Sequence, residues 1–210
     1  MGTVPRMDAG RPRVVLVHGA TGGPWTFDPW LPHLAPYDVR VPDLQEGLDV
    51  ARASMADYEA AVTAATGEAG AVVVGYSMGG LVALVAARRG SLAGLVLLEA
   101  SPPFELGARD PDVVPRPGTY GGEPGRSRPE SAWAQAERHR GISVPAVDCP
   151  VLVVAERDFA DERGRRLAEL YDGELLELPD IPHDRLATDR RVVEHVVGWI
   201  HGVTDRTARS

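Results

Sequence analysis

Six short apolar runs recur along the chain, at 13–18, 37–41, 71–76, 93–99, 151–155 and 174–178. In the clearest of them, such as R-V-V-L-V-H and A-G-L-V-L-L-E, apolarity is continuous rather than alternating. A continuous apolar run implies burial on both faces, as in a parallel sheet. Between the runs lie segments of helical length or period, at 24–34, 51–68, 78–89, 161–171 and 190–201, the last with Val192, Val193, Val196, Val197 and Ile200 as its apolar stripe. This alternation predicts an α/β architecture, a mostly parallel sheet of about six strands with helices on both faces.

One segment breaks the rhythm. Residues 101–149 hold eight prolines and six glycines. So long an irregular stretch between two strands is expected to serve function, as a short lid over the carboxyl end of the sheet, with a helix at 129–140 that carries Trp133. The chain of 210 residues is expected to form one domain, 1–210, with 101–149 inserted in it.

Within this pattern the most informative stretch is 72–80, V-V-V-G-Y-S-M-G-G. It runs from a buried strand through G-x-S-x-G into L-V-A-L-V-A-A-R-R, a helix closed by Gly90. This is the nucleophile-elbow pattern, a sharp strand-to-helix turn that lifts the Ser77 hydroxyl above a sheet. Gly75 and Gly79 stand where a Cβ would crowd the turn. The helix N-terminus offers free N–H groups to a developing oxyanion.

A serine needs a base to take its proton, and the base needs a third group to orient it. With an elbow of this type the chain order is serine, acid, histidine. The base is therefore expected late, and His183, in L-P-D-I-P-H-D after the last strand, fits. The acid is expected after the strand at 151–155, where A-E-R-D places Asp158 at the strand's carboxyl end. Glu99, which ends the preceding strand, is the alternative acid. The oxyanion donors are expected to be the backbone N–H groups of Met78 and, in the loop H-G-A-T-G-G, of Ala20, with Thr21 as an alternative. His18 reads as a structural residue of that loop. Trp25, Phe27 and Trp30 either pack the first helix or line an aromatic entrance, and Trp25 and Trp133 are the residues expected to shape the substrate pocket.

Bulk properties narrow the classes. A formal net charge of −8 disfavours a nucleic-acid partner. No run reaches membrane-spanning length and no apolar leader is present, so no membrane partner is expected. The single Cys149, lying before Pro150 and a strand, reads as a small buried hydrophobe, and the absence of a disulfide framework fits a reducing, cytoplasmic location. All 22 basic residues are arginine, which removes Schiff-base and lysine-base chemistry. No cofactor and no metal are expected.

The order of His-Gly loop, G-Y-S-M-G-G elbow, strand followed by E-R-D, and late I-P-H resembles the α/β-hydrolase superfamily over about residues 13–202. The resemblance implies Ser77 as nucleophile, His183 as base, Asp158 as acid, and Met78 and Ala20 as the oxyanion hole. Only twelve residues precede the first strand, so the sheet is expected to be a trimmed version of that fold. The loop after the second strand reads V-P-D-L-Q-E-G-L-D where the superfamily has P-G-H-G. The expected activity is cleavage of an ester, thioester or lactone through an acyl-enzyme, with a small-molecule acyl substrate as partner; a homodimer is compatible with the sequence. A triad-bearing cyclase, lyase or acyltransferase of specialised metabolism is the alternative, and a binding protein that kept the fold without the chemistry is a second.

Overall fold

The computed structural model describes residues 11–67, 70–90, 92–122, 127–156 and 162–207. Asp158 lies outside the described residues. The strands are β1 (Arg13–Val17), β2 (Asp38–Arg40), β3 (Val72–Tyr76), β4 (Gly94–Leu98), β7 (Val151–Ala155) and β8 (Glu174–Glu177), with a separate antiparallel pair, β5 (Thr119–Tyr120) and β6 (Glu130–Ser131). The helices are α1 (Met55–Thr66), α2 (Met78–Ala87), α3 (Ala132–Arg140), α4 (Arg163–Leu170), α5 (His183–Leu186) and α6 (Arg190–Thr207).

The main sheet runs β2-β1-β3-β4-β7-β8, and every neighbouring pair is parallel. Successive side chains of its strands pass to opposite faces. Val15, Val17, Val73, Leu95, Leu97, Val151 and Val153 pack with α1, α2 and α4. Val14, Leu16, Val72, Val74, Val96, Leu98, Leu152 and Val154 pack with the 24–34 segment and α6. Both faces are covered, which explains why the central strands read as unbroken apolar runs. Among the described residues no helix is long and apolar enough to cross a membrane.

Local chemistry adjusts two expected helices. The 51–68 helix begins at Met55, because Ser54 caps it: its hydroxyl accepts from the Asp57 N–H at 3.2 Å while the Asp57 carboxylate accepts from the Ser54 N–H at 2.8 Å. The 24–34 segment is a succession of 3₁₀ turns, since Pro24, Pro29 and Pro32 remove the N–H donors that an α-helix needs. Its Phe27 and Trp30 are fully buried, meet edge-to-face at 5.6 Å, and Trp30 donates to the Ala187 carbonyl at 2.6 Å. They are core residues and do not form an entrance.

The 101–149 segment is anchored by polar contacts. Tyr120 donates to Glu130, and Arg138 donates to Glu130 at 3.3 Å and to the Tyr120 oxygen at 2.9 Å, tying the β5–β6 pair to α3. Ser131 donates to the Ala53 carbonyl at 2.5 Å, and the Glu137 carboxylate accepts from Met55 N–H at 2.7 Å, fixing α3 to the start of α1.

Candidate active site

The register of the central strands brings their carboxyl ends to one level. Tyr76 pairs with Leu98, and Leu98 with Val154, so Ser77, Glu99 and Ala155 stand level along the sheet's edge, with Glu156 one residue beyond. At Ser77 the backbone turns sharply, with φ 54° and ψ −120°. This conformation, worth about 1–3 kcal/mol of strain, persists only when its surroundings hold it. Here the Ser77 N–H donates to Leu98 O, and Ser77 O accepts from the N–H groups of Gly80 and Ser101, at 2.9, 3.0 and 2.9 Å. A Cβ at Gly75 would meet Gly79 O at 2.6 Å, and one at Gly79 would meet Val17 O and His18 O at 2.4 Å. The elbow therefore closes only on glycine at both positions, and the end of β1 packs directly on the first turn of α2.

His183 opens α5 and reaches back over the elbow. Its Nε2 is 3.2 Å from Ser77 Oγ, and its Nδ1 is 2.5 Å from Glu99 Oε2. A carboxylate can only accept, so Nδ1 carries the proton and Nε2 is left with a lone pair facing the hydroxyl. Tyr76 braces the histidine: the rings stack at 5.2 Å, and the phenol donates to the His183 carbonyl at 2.8 Å. Burial, with the Glu99 and Asp184 charges, raises the Tyr76 pKa, so its hydroxyl stays a donor. The Glu99 side chain is 3% exposed, against 39% for His183. A buried carboxylate needs partners, and Glu99 has a second one: its Oε1 accepts from the Glu156 N–H at 2.9 Å. Glu99 itself sits at φ 40°, with its N–H still on Val154 O at 2.9 Å. The side chain thus turns inward just where the strand ends.

The loop after β1 flanks the serine from the other side. A Cβ on Gly19 would meet Ser77 Cβ at 3.1 Å, which sets Ala20 and Thr21 beside the elbow, Thr21 at φ 56°. Met78 is the first residue of α2, where backbone N–H groups lack carbonyl partners within the helix. His18 holds the loop: its Nδ1 donates to Gly19 O at 2.8 Å, and its Nε2 accepts from Leu44 N–H at 3.2 Å. Desolvation, opposed by the Gly19 hydrogen bond and aided by the Arg128 charge, lowers the His18 pKa to about 4.

Arg128, from the 101–149 segment, clamps this loop. Its guanidinium is bidentate on Asp43 at 2.8 and 2.6 Å and donates through Nε to Gly22 O at 2.6 Å. Its own N–H donates to Thr21 O at 2.9 Å. Neither Arg128 nor Asp43 was legible in the sequence as a site residue. Arg128 lies in a Gly/Pro-rich stretch, and its partners are 85 to 110 positions distant. The P-D of V-P-D-L-Q, standing where P-G-H-G was absent, is the one signal that could have drawn attention to Asp43.

A cleft of about 570 Å³ opens at Ser77 and His183, bounded by Leu106 and by Arg109, Arg163 and Arg166. Trp25 and Trp133 are not among its walls, contrary to the sequence expectation. Trp25 is 52% exposed beneath the Arg128 guanidinium, 5.3 Å from its ring centre, and Trp133 donates to Glu137 at 3.1 Å. Each aromatic makes a contact with a residue of the 101–149 segment. Burial pushes the Cys149 thiol up to about 11, consistent with an unreactive packing residue. Among the described residues no cluster of three His, Cys, Asp or Glu is arranged to hold a metal.

A model of the alpha/beta hydrolase family matches residues 14–209. No curated protein matches the chain. Among solved structures, the chain is similar to MenH from S. aureus (15% identity, TM-score 0.69, covering 94% of this chain and 96% of that one). It is also similar to a pyrethroid hydrolase from Sphingobium faniae JZ-2 (18%, TM-score 0.62, 90% and 97%). A third is the carboxylesterase CesB from Bacillus subtilis (15%, TM-score 0.63, 94% and 85%). At these identities the likeness is one of fold.

Proposed function

The chain belongs to the alpha/beta hydrolase family, and from that premise we propose that it is a serine hydrolase that cleaves a carboxylic ester or thioester, with Ser77 as nucleophile, His183 as general base and Glu99 as the orienting acid. The observation that carries the reading is the relay of contacts from Ser77 Oγ through both ring nitrogens of His183 to the buried Glu99. Membership of a hydrolase family and neighbours named as a hydrolase and a carboxylesterase support the reaction class.

In this mechanism the Ser77 oxygen attacks the acyl carbon as His183 Nε2 takes the hydroxyl proton. The carbonyl oxygen gains the negative charge and is met by the N–H groups of Met78 and Ala20. Glu99 keeps His183 in the tautomer that accepts at Nε2 and stabilises the imidazolium that forms. The tetrahedral adduct then collapses: the bond to the leaving oxygen or sulfur breaks, and His183 hands that atom its proton. Water next attacks the acyl-serine, giving a proton to His183, and Ser77 recovers it as the acid departs.

A fluorophosphonate tests this directly. Intact mass should rise by one phosphonyl group in the wild type and stay unchanged in Ser77→Ala, and turnover of p-nitrophenyl esters should fall by about 10⁵- to 10⁶-fold in the same variant. Labelling that persists without Ser77 would overturn the assignment.

A further inference from the structure

The rim of the cleft has an unusual charge. Acidic residues outnumber basic ones 30 to 22 in this chain. Yet Arg109, Arg163 and Arg166 all border the space above Ser77 and His183, and none of the described residues lining it is acidic. The three come from two places: Arg109 from the 101–149 segment, and Arg163 and Arg166 from the first turn of α4, where the helix dipole is also positive. Arg166 is aimed by one hydrogen bond, Nη2 to Leu106 O at 3.0 Å, leaving further N–H donors on its planar fork. Among the described residues neither Arg109 nor Arg166 is in an ion pair. None of the described residues lining the cleft is Phe, Tyr or Trp.

Resting on the serine-hydrolase reading above, we propose that the substrate carries an oxyanion, a carboxylate or a phosphate, and that Arg109 and Arg166 bind it while Ser77 attacks the acyl carbon. Guanidinium groups match both oxyanions through paired N–H donors. In a chain of net charge −8 a local positive field at the cleft mouth would also draw such a substrate in from solution.

Two matched pairs of probes separate the sources of the charge. Hydrogen p-nitrophenyl glutarate and p-nitrophenyl valerate differ by a carboxylate in place of a methyl on the acyl side. S-butyryl-4′-phosphopantetheine and S-butyryl-pantetheine differ by one phosphate on the leaving side. In at least one pair the anionic member should be favoured by roughly 10- to 100-fold in kcat/KM, chiefly through KM, and raising the salt should shrink the preference. The double variant Arg109→Gln/Arg166→Gln should bring that ratio close to one, while Arg190→Gln, on α6, should leave it as it is. Calorimetric binding of the same four probes to Ser77→Ala gives a readout that needs no turnover, so a failed nucleophile and a failed anion site are told apart. Equal treatment of both members of both pairs by the wild type, or a preference that survives the double variant, would overturn the proposal.

Discussion

The two sides of the serine are built from different materials. On the sheet side, Ser77, Glu99 and the backbone of Glu156 stand at the ends of adjacent parallel strands, fixed by main-chain hydrogen bonds between residues of the buried core. On the other side, the loop at 19–22 is held by a neutral buried histidine and by one arginine that spans to Asp43, Gly22 and Thr21. The first arrangement depends on packing and on main-chain hydrogen bonds of the buried core. The second depends on charge in the partly exposed Arg128 and Asp43 and on the protonation of the buried His18, which solution conditions do change. The nucleophile and the acid that orients its base are thus held by the core, and the Arg128 contacts serve the loop proposed to carry an oxyanion donor.

The strongest probe of the sheet side is its acid. Glu99→Gln should reduce kcat by about 10⁴-fold, since the amide no longer enforces the productive tautomer. Asp158→Asn should leave kcat within a few-fold of the wild type. Steady-state turnover of a p-nitrophenyl ester reads both, and a large loss confined to the Asp158 variant would move the acid to the other strand.

The loop side should show itself in pH. His18 has a folded pKa of about 4 against 6.5 for the free side chain. Between those values the unfolded chain binds a proton that the folded chain refuses, so stability is fully present above pH 6.5 and falls as the pH drops toward 4, by about 3 kcal/mol. Urea melts at pH 7.5 and 5.0 measure the slope, and His18→Gln should flatten it. An unchanged slope in that variant would mean that other groups set the acid limit.

A smaller effect is expected from Arg128→Lys. An ammonium cannot hold both Asp43 oxygens and the Gly22 carbonyl in one plane. The loosened loop should lower kcat roughly 10-fold, with most of the loss in kcat rather than KM. That loss should grow at high salt, whereas the activity of a Glu99→Gln variant should not respond to salt. Equal salt responses in the two variants would erase the contrast between the two sides.

Much of this molecule was written in local patterns. The unbroken apolar runs specified a parallel sheet covered on both faces because strand burial is a property of a few consecutive residues. The G-x-S-x-G spacing specified the elbow because its steric demands reach no further than Gly75 and Gly79. The place of His183 followed from its position after the last strand. The sequence could not choose between two carboxylates that end neighbouring strands. Leu98 and Val154 are paired in register, and the inward turn of Glu99 at positive φ puts its oxygens on the imidazole. Nor could it reveal the Arg128 clamp or the ring of arginines above the cleft. Those groups lie far apart in the chain, and no periodicity records which of them will meet in the folded structure.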